Sequence, residues 1–206
     1  MDGLLFRRQM MGRSSTPPTP VPYDAGVEYL ESNGTQWLNL NYIPIIGDSF
    51  DVEVFPVEAS SAPSVQTVLS AGDSNNQLVI PVSGVLVYFR YFSSSGSSGM
   101  SFPKGRWHSI SVDSSGNFEL DGTIVTTVHS QGDIDGTNKN LRLLYRANNT
   151  NPFYGRIRYF RLVSGNTTIF DLIPVRVGQV GYMYDRVSGQ LFGNAGTGDF
   201  ILGPDV

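Results

Sequence analysis

Two pairs of carboxylates, Asp51 with Glu53 and Glu119 with Asp121, are spaced for hydrolytic chemistry. On a β-strand, positions i and i+2 share a face, and a retaining glycosidase needs its acid and nucleophile about 5–5.5 Å apart. Both pairs also have a plainer explanation. Asp51 and Glu53 alternate with Phe50, Val52 and Val54, as the solvated face of a strand does, and Asp121 with Gly122 forms a turn. The histidines are His108 and His129, with no His-Glu-x-x-His or comparable cluster, so no metal site is assigned. His108 is expected to be a strand residue packed beside Trp107. No catalytic or cofactor-binding residue is assigned, and the chain is expected not to be an enzyme.

Sugar recognition asks for something different: exposed aromatic rings that stack on sugar faces, beside amides and carboxylates that meet the hydroxyls. Trp37, Tyr88, Tyr91, Phe153 and Tyr154 are the candidates. Trp37 and Tyr91 also fall in strand-like runs, where packing into a core competes for the same side chains.

The first 22 residues differ in composition from the rest. Leu4, Leu5, Phe6, Met10 and Met11 stand beside Arg7, Arg8 and Arg13. Residues 1–13 carry a charge of +2 against −6 for the remainder. Five large apolar side chains in so short a stretch gain from burial against another subunit, with the arginines pairing to its acidic groups. Residues 1–13 are therefore read as an anchoring arm. Residues 14–22, SSTPPTPVP, form a linker whose prolines favour extended polyproline II. Residues 23–206 form one domain.

The elements of that domain are short strands. Val27–Glu31 and Gln36–Leu40 flank a turn at Ser32–Thr35, and Ser49–Glu58 alternates cleanly until Pro56, which argues for an edge or bulge. Further strands are expected at Val65–Ser70, Leu78–Ile80, Val85–Phe92, Arg106–Val112 and Leu141–Tyr145, and over Asn117–Val125 on the two sides of a turn at Asp121-Gly122 that sends the chain back. Ser93–Gly99, SSSGSSG, reads as a flexible loop, and Gly132–Asn138 as a polar one. Tyr154–Gly203 reads as three successive hairpins, turning at Ser164-Gly165-Asn166, Val177-Gly178-Gln179 and Ser188-Gly189. The apolar phase slips by one residue near Tyr159-Phe160. A β-bulge there would return Ile157, Phe160 and Leu162 to one face. No segment has helical periodicity over a useful length.

With 23 Gly, 12 Pro and 12% aromatics, the composition suits many strands and tight turns around a two-layer core. The net charge of −4 disfavours wholesale nucleic-acid binding, and no run approaches the ~18–20 apolar residues of a membrane span. There is no cysteine, hence no disulfide or thiolate site. The first residues do not read as a signal peptide: the apolar run is only Leu4-Leu5-Phe6, and charges follow it.

The run Gly105–Val112, continuing to Leu120-Asp121-Gly122, resembles a hairpin of the laminin-G-like branch of the concanavalin A-like lectin/glucanase superfamily, and Tyr154–Phe160 resembles that family's late strand. More narrowly, the chain is similar to single-domain laminin-G-like proteins of gut-bacterial phages and prophages. The residues that carry this are Glu28–Gln36, EYLESNGTQ, and Tyr184–Gly189 leading into Asn194–Gly198. The resemblance spans about Val27 to Leu202 and implies an all-β, two-sheet antiparallel jelly-roll sandwich with an extended N-terminal arm. Glucanases of this fold arrange their carboxylates as Glu-x-Asp-x-x-Glu. Glu119 and Asp121 match the first half, but Ile124 stands at the last position. The family also holds Ca²⁺ at the sandwich rim, for which Asp73, Asn75, Asn76, Asp133 and Asp135 are candidates, with no ligand set fixed.

These readings converge on a non-enzymatic virion structural protein, a decoration or fibre subunit on the capsid or tail surface. It would be anchored in other virion proteins through Leu4, Leu5, Phe6, Arg7, Arg8, Met10 and Met11, and is expected to be a homo-oligomer. The alternative is a carbohydrate-binding adhesin that recognises host surface glycans. A glycoside hydrolase comes last.

Overall fold

The computed structural model describes residues 20–45, 47–58, 62, 65–71, 78–83, 86–91, 94–97, 102–127, 140–145 and 151–206. For residue 65 and residues 78–83, 86–91, 94–97 and 125–127 only the backbone is described. Residues 1–13, read above as an anchoring arm, lie outside these residues, as do the Ca²⁺ candidates and the expected loop at Gly132–Asn138.

Every regular element among the described residues is a strand. In chain order they are β1 (Ala25–Gly26), β2 (Leu30–Asn33), β3 (Leu38–Asn39), β4 (Asp48–Pro56), β5 (Val65–Ala71), β6 (Leu78–Ser83), β7 (Leu86–Tyr91), β8 (Ser94–Ser97) and β9 (His108–Val112). They continue with β10 (Asn117–Leu120), β11 (Thr123–Thr127), β12 (Arg142–Leu143), β13 (Tyr154–Ser164), β14 (Thr167–Val177), β15 (Val180–Asp185), β16 (Leu191–Phe192) and β17 (Ile201–Leu202). The larger sheet runs β11-β10-β9-β4-β13-β14-β15-β16, with β1 on β14 and the pair β2-β17 on the first half of β13. The smaller runs β3-β12-β5-β6-β7-β8. All pairings are antiparallel, and the two sheets form a sandwich around one apolar core.

The alternation seen in the sequence sets the inner faces. Phe50, Val52 and Val54 of β4 are buried, and Asp51 and Glu53 face outward half-buried. On β9, His108, Ile110 and Val112 point in, while Trp107, Ser109 and Ser111 point out. β13 is the hub, flanked by β4 along one side and by β2 and β14 in succession along the other. Its pairing with β4 jumps from Ile157–Val54 to Tyr159–Glu53, so a bulge skips Arg158. Ile157, Phe160 and Leu162 are therefore all buried, as the phase slip required, and each such burial stabilises by roughly 1.5–3 kcal/mol.

The hairpins β13/β14, β14/β15 and β15/β16 form as the turn residues predict, with Gly165, Gly178 and Gly189 at φ of 56°, 60° and 76°. The last of these turns is held by Asp185, a fully buried carboxylate. Its Oδ1 accepts from the amides of Asp171 (2.9 Å) and Val187 (3.1 Å). Its Oδ2 accepts from the amide (3.1 Å) and hydroxyl (2.6 Å) of Ser188.

Four expectations change. Ser94–Ser97, read as part of a flexible loop, is a strand paired with β7, because an edge strand needs only backbone hydrogen bonds on one side. Val27–Glu31 is not a continuous strand: Val27 makes an isolated bridge to Asp205, and β2 begins at Leu30. Gln36–Leu40 and Leu141–Tyr145 shrink to the two-residue strands β3 and β12, paired with each other. Pro56 lies at the end of β4, inside the larger sheet rather than on its edge, where its carbonyl accepts from Gly105 (2.9 Å).

Candidate functional site

The rim of the sandwich brings together two motifs from opposite ends of the chain. Ser32–Gln36 forms a tight turn after β2. The Ser32 hydroxyl donates to the Gln36 carbonyl (2.9 Å) and accepts from the Gly34 amide (3.1 Å), while Gln36 Oε1 accepts from the Asn33 amide (3.0 Å). Asn194–Gly198 docks on this turn as a short ladder. The Thr197 amide donates to the Thr35 carbonyl (3.1 Å) and the Ala195 amide to the Trp37 carbonyl (2.8 Å). Asn194 ties the two segments, its Oδ1 accepting from the amides of Trp37 (3.0 Å) and Gly196 (2.8 Å), and its Nδ2 donating to the Gly198 carbonyl (2.6 Å).

This clamp holds Trp37, which is half-buried. Its ring stacks on Tyr145 with centroids 5.7 Å apart and 16° between planes, and the Arg142 guanidinium lies 4.6 Å from its centroid. A β-carbon on Gly196 would run into the Thr35 carbonyl and sit 2.8 Å from the Trp37 ring. Tyr154, also half-buried, lays its ring across Gly34 on the same turn. Asn39 faces Arg142 across the β3–β12 ladder, and Thr35 and Thr197 are exposed. The result is a fixed indole flanked by a phenol ring, a guanidinium and small polar groups.

Of the five aromatics singled out by sequence, the structure brings Trp37 and Tyr154 to this turn. Phe153 is a correction: it is 0% exposed, its amide bonded to the Leu144 carbonyl (3.0 Å), and it belongs to the core. The side chains of Tyr88 and Tyr91 lie outside what is described.

A second polar-aromatic surface covers the outer face of the larger sheet. Arg158 sits 4.3 Å from the Trp107 ring centroid and pairs with Glu53. Arg156 lies over Tyr29 (4.3 Å) and Phe55 (4.9 Å) and pairs with Glu31 (2.6 Å). Beside Glu53 and Arg158 opens a shallow cavity of about 500 Å³. Trp107 is not among the residues sequence reasoning marks for sugar stacking. The signal was available, because period two sets it opposite Ile110 and Val112 and so outward. The arginines carry no such signal.

The carboxylate pairs have other work. Asp121 Oδ1 accepts from the Ser109 amide (3.0 Å), and its Oδ2 from Arg106 (2.7 Å). His108 does not pack beside Trp107 but on the inner side, stacked on Phe102 at 4.0 Å. Its Nδ1 is 2.9 Å from Asp121 Oδ2, and its Nε2 donates to the Pro103 carbonyl at 2.8 Å. Asp51 is not simply solvated. Burial pushes its carboxyl up from the usual range, with Arg161 opposing and Glu119 adding to the shift. Among the described residues, no group of three or more His, Asp or Glu could hold a metal ion, and no helix is long and apolar enough to cross a membrane.

No protein family profile matches the sequence, and no curated protein matches it. Among solved structures, the crystal structure of a protein from Bacteroides ovatus named a "putative carbohydrate binding protein" is similar, with a TM-score of 0.62 at 8% sequence identity. The likeness covers 87% of this chain and 60% of the other, so this chain spans under two thirds of that protein's length. At that identity the likeness shows the fold, an antiparallel β-sandwich.

Proposed function

We propose that this chain is a non-catalytic carbohydrate-binding domain that meets surface glycans through the rim around Trp37. The observation that carries the reading is the immobilised, half-buried indole with Tyr145, Arg142 and small polar groups beside it. A rigid aromatic platform stacks on a sugar ring at little entropic cost. The fold likeness to a protein named for carbohydrate binding agrees with this without carrying it.

The test is titration of the full chain with soluble polysaccharides, for example dextran, galactomannan, polygalacturonate and hyaluronan. Trp37→Ala should weaken binding at least tenfold while thermal unfolding shows an intact sandwich. Unchanged binding by that variant would remove the rim from the reading.

A structural role on a virion is a second reading, favoured by the composition of residues 1–22 and by the resemblance to laminin-G-like phage proteins. It comes second because the fold likeness is to a protein named for carbohydrate binding, not for assembly into a particle. The two are compatible: an arm that anchors Leu4–Met11 among other virion proteins would leave the rim facing outward, and repeated copies would multiply weak sugar contacts. Removing residues 1–22 should then abolish incorporation into particles. Full occupancy by the shortened chain would refute the anchoring role.

A further inference from the structure

The bulge in β13 does more than restore the apolar phase. Because pairing with β4 skips Arg158, two consecutive side chains, Arg158 and Tyr159, both face out of the larger sheet between the buried Ile157 and Phe160. A regular strand would send one of them inward. Both line the cavity of about 500 Å³, within the usual span of ligand sites, together with Glu53, Ile173 and Pro174. The lining thus sets the apolar Ile173 and Val206 beside a carboxylate, a guanidinium and a phenol. Arg158 also lies 4.3 Å from the centroid of the Trp107 ring.

Charge narrows the occupant. Glu53 and Arg158 neutralise each other, and Glu28 adds a further carboxylate to the lining. An anionic ligand would meet net negative charge and an arginine already engaged. An uncharged polyol suits the groups present: vicinal hydroxyls can donate to Glu53 and accept from the Arg158 N–H groups that Glu53 leaves open, and the C–H face of the ring can lie on Ile173.

We infer that the bulge cavity is a second sugar-binding position, separate from the Trp37 rim, that takes an uncharged pyranose unit. The inference rests on the carbohydrate reading, but its failure and that reading's failure give different results. The experiment is calorimetric titration of the full chain with oligosaccharides of dextran and galactomannan, and with oligosaccharides of hyaluronan and polygalacturonate as the acidic arm. Variants are Trp37→Ala, Arg158→Gln, Glu53→Gln and the double variant Trp37→Ala with Arg158→Gln. Folding of each is checked by thermal unfolding.

Two sites per wild-type chain are expected for a neutral oligosaccharide. Trp37→Ala should keep one of them, and the double variant should bind at least tenfold more weakly than Trp37→Ala. One site, lost in Trp37→Ala and unaffected by Arg158→Gln or Glu53→Gln, overturns the second position and leaves the rim standing. One site that survives Trp37→Ala and is lost in Arg158→Gln supports the cavity and removes the rim. Preference of Trp37→Ala for the acidic oligosaccharides overturns the uncharged class. No binding by the wild-type chain overturns both readings.

Discussion

The backbone amide of Trp37 donates to the side-chain oxygen of Asn194 at 3.0 Å, across 157 positions of sequence. With the Ala195–Trp37 and Thr197–Thr35 hydrogen bonds, this contact makes one object of two stretches that read as separate marks near the two ends of the domain. The motifs Glu28–Gln36 and Asn194–Gly198 are thereby explained as construction. The side chain they hold in place, the indole of Trp37, is the one to which the proposed sugar binding is assigned.

That arrangement has a sharp steric requirement at Gly196. A methyl group there cannot avoid the Thr35 carbonyl and presses on the Trp37 ring, and neither backbone can retreat without breaking the ladder. Gly196→Ala should cost about 1–3 kcal/mol and shift the tryptophan emission toward the solvent-exposed range. Unfolding and emission equal to those of the unaltered chain would mean that the two segments do not interlock in solution.

Much of the sandwich was legible in the residue pattern. The bulge was, because a phase slip between Ile157 and Phe160 leaves no other way to bury both. The rim was only half legible. Turn chemistry marks Asn33-Gly34 and Asn194–Gly198 separately, but every hydrogen bond joining them has a backbone atom on at least one side, and a backbone atom carries no residue signature to name the partner. Phe153 and Tyr154 show the limit of reading adjacent aromatics: one enters the core and the other crosses Gly34, and the parity is set by where β13 begins. The Arg158–Trp107 contact joins strands separated by β4, and only the sheet order reveals it. Serines and glycines gave no hint of β8, because strand pairing is made through backbone groups that every residue carries.

Asp185 is the most heavily engaged carboxylate of the closing hairpins, accepting four hydrogen bonds from Asp171, Val187 and Ser188 with no exposure to solvent. Replacing it with alanine leaves four donors without their acceptor and opens a void at a buried position. Asp185→Ala should cost about 3–4 kcal/mol. For a chain of this size that is a fall of roughly 6–16 °C in Tm. Asp185→Asn keeps one acceptor oxygen and should lose about half as much. A loss below about 1 kcal/mol for the alanine variant would show that water reaches the turn and replaces the carboxylate.

Tyr42 supplies a test by pH. Its hydroxyl donates to Asp48 at 2.8 Å, and burial, then this bond, push its pKa up to about 12 from 10.0. The folded chain thus holds the Tyr42 proton at pH values where the unfolded chain has released it. The stabilisation is complete below pH 10 and drains away as pH rises toward 12. Tyr42→Phe should be less stable than the unaltered chain at pH 8, by about 1–2 kcal/mol. The gap should narrow in urea melts taken through pH 10 to 11.5, and a constant gap would contradict the assignment.

The bulge offers the last test, through a deletion rather than a substitution. Without Arg158, β13 reads Ile157, Tyr159, Phe160, Arg161, Leu162, an unbroken in-out alternation that keeps the three apolar residues on the core face. The chain would lose one exposed ion pair with Glu53, worth about 1 kcal/mol or less, and the cation–π contact on Trp107 of similar size. Deleting Arg158 should therefore leave a cooperatively folded sandwich within about 2 kcal/mol of the original, whereas deleting the inward-facing Ile157 should cost at least about 3 kcal/mol. Thermal unfolding of the two deletions decides it. If loss of Arg158 proves as damaging as loss of Ile157, the bulge holds up the fold, and its service to the outer face is secondary.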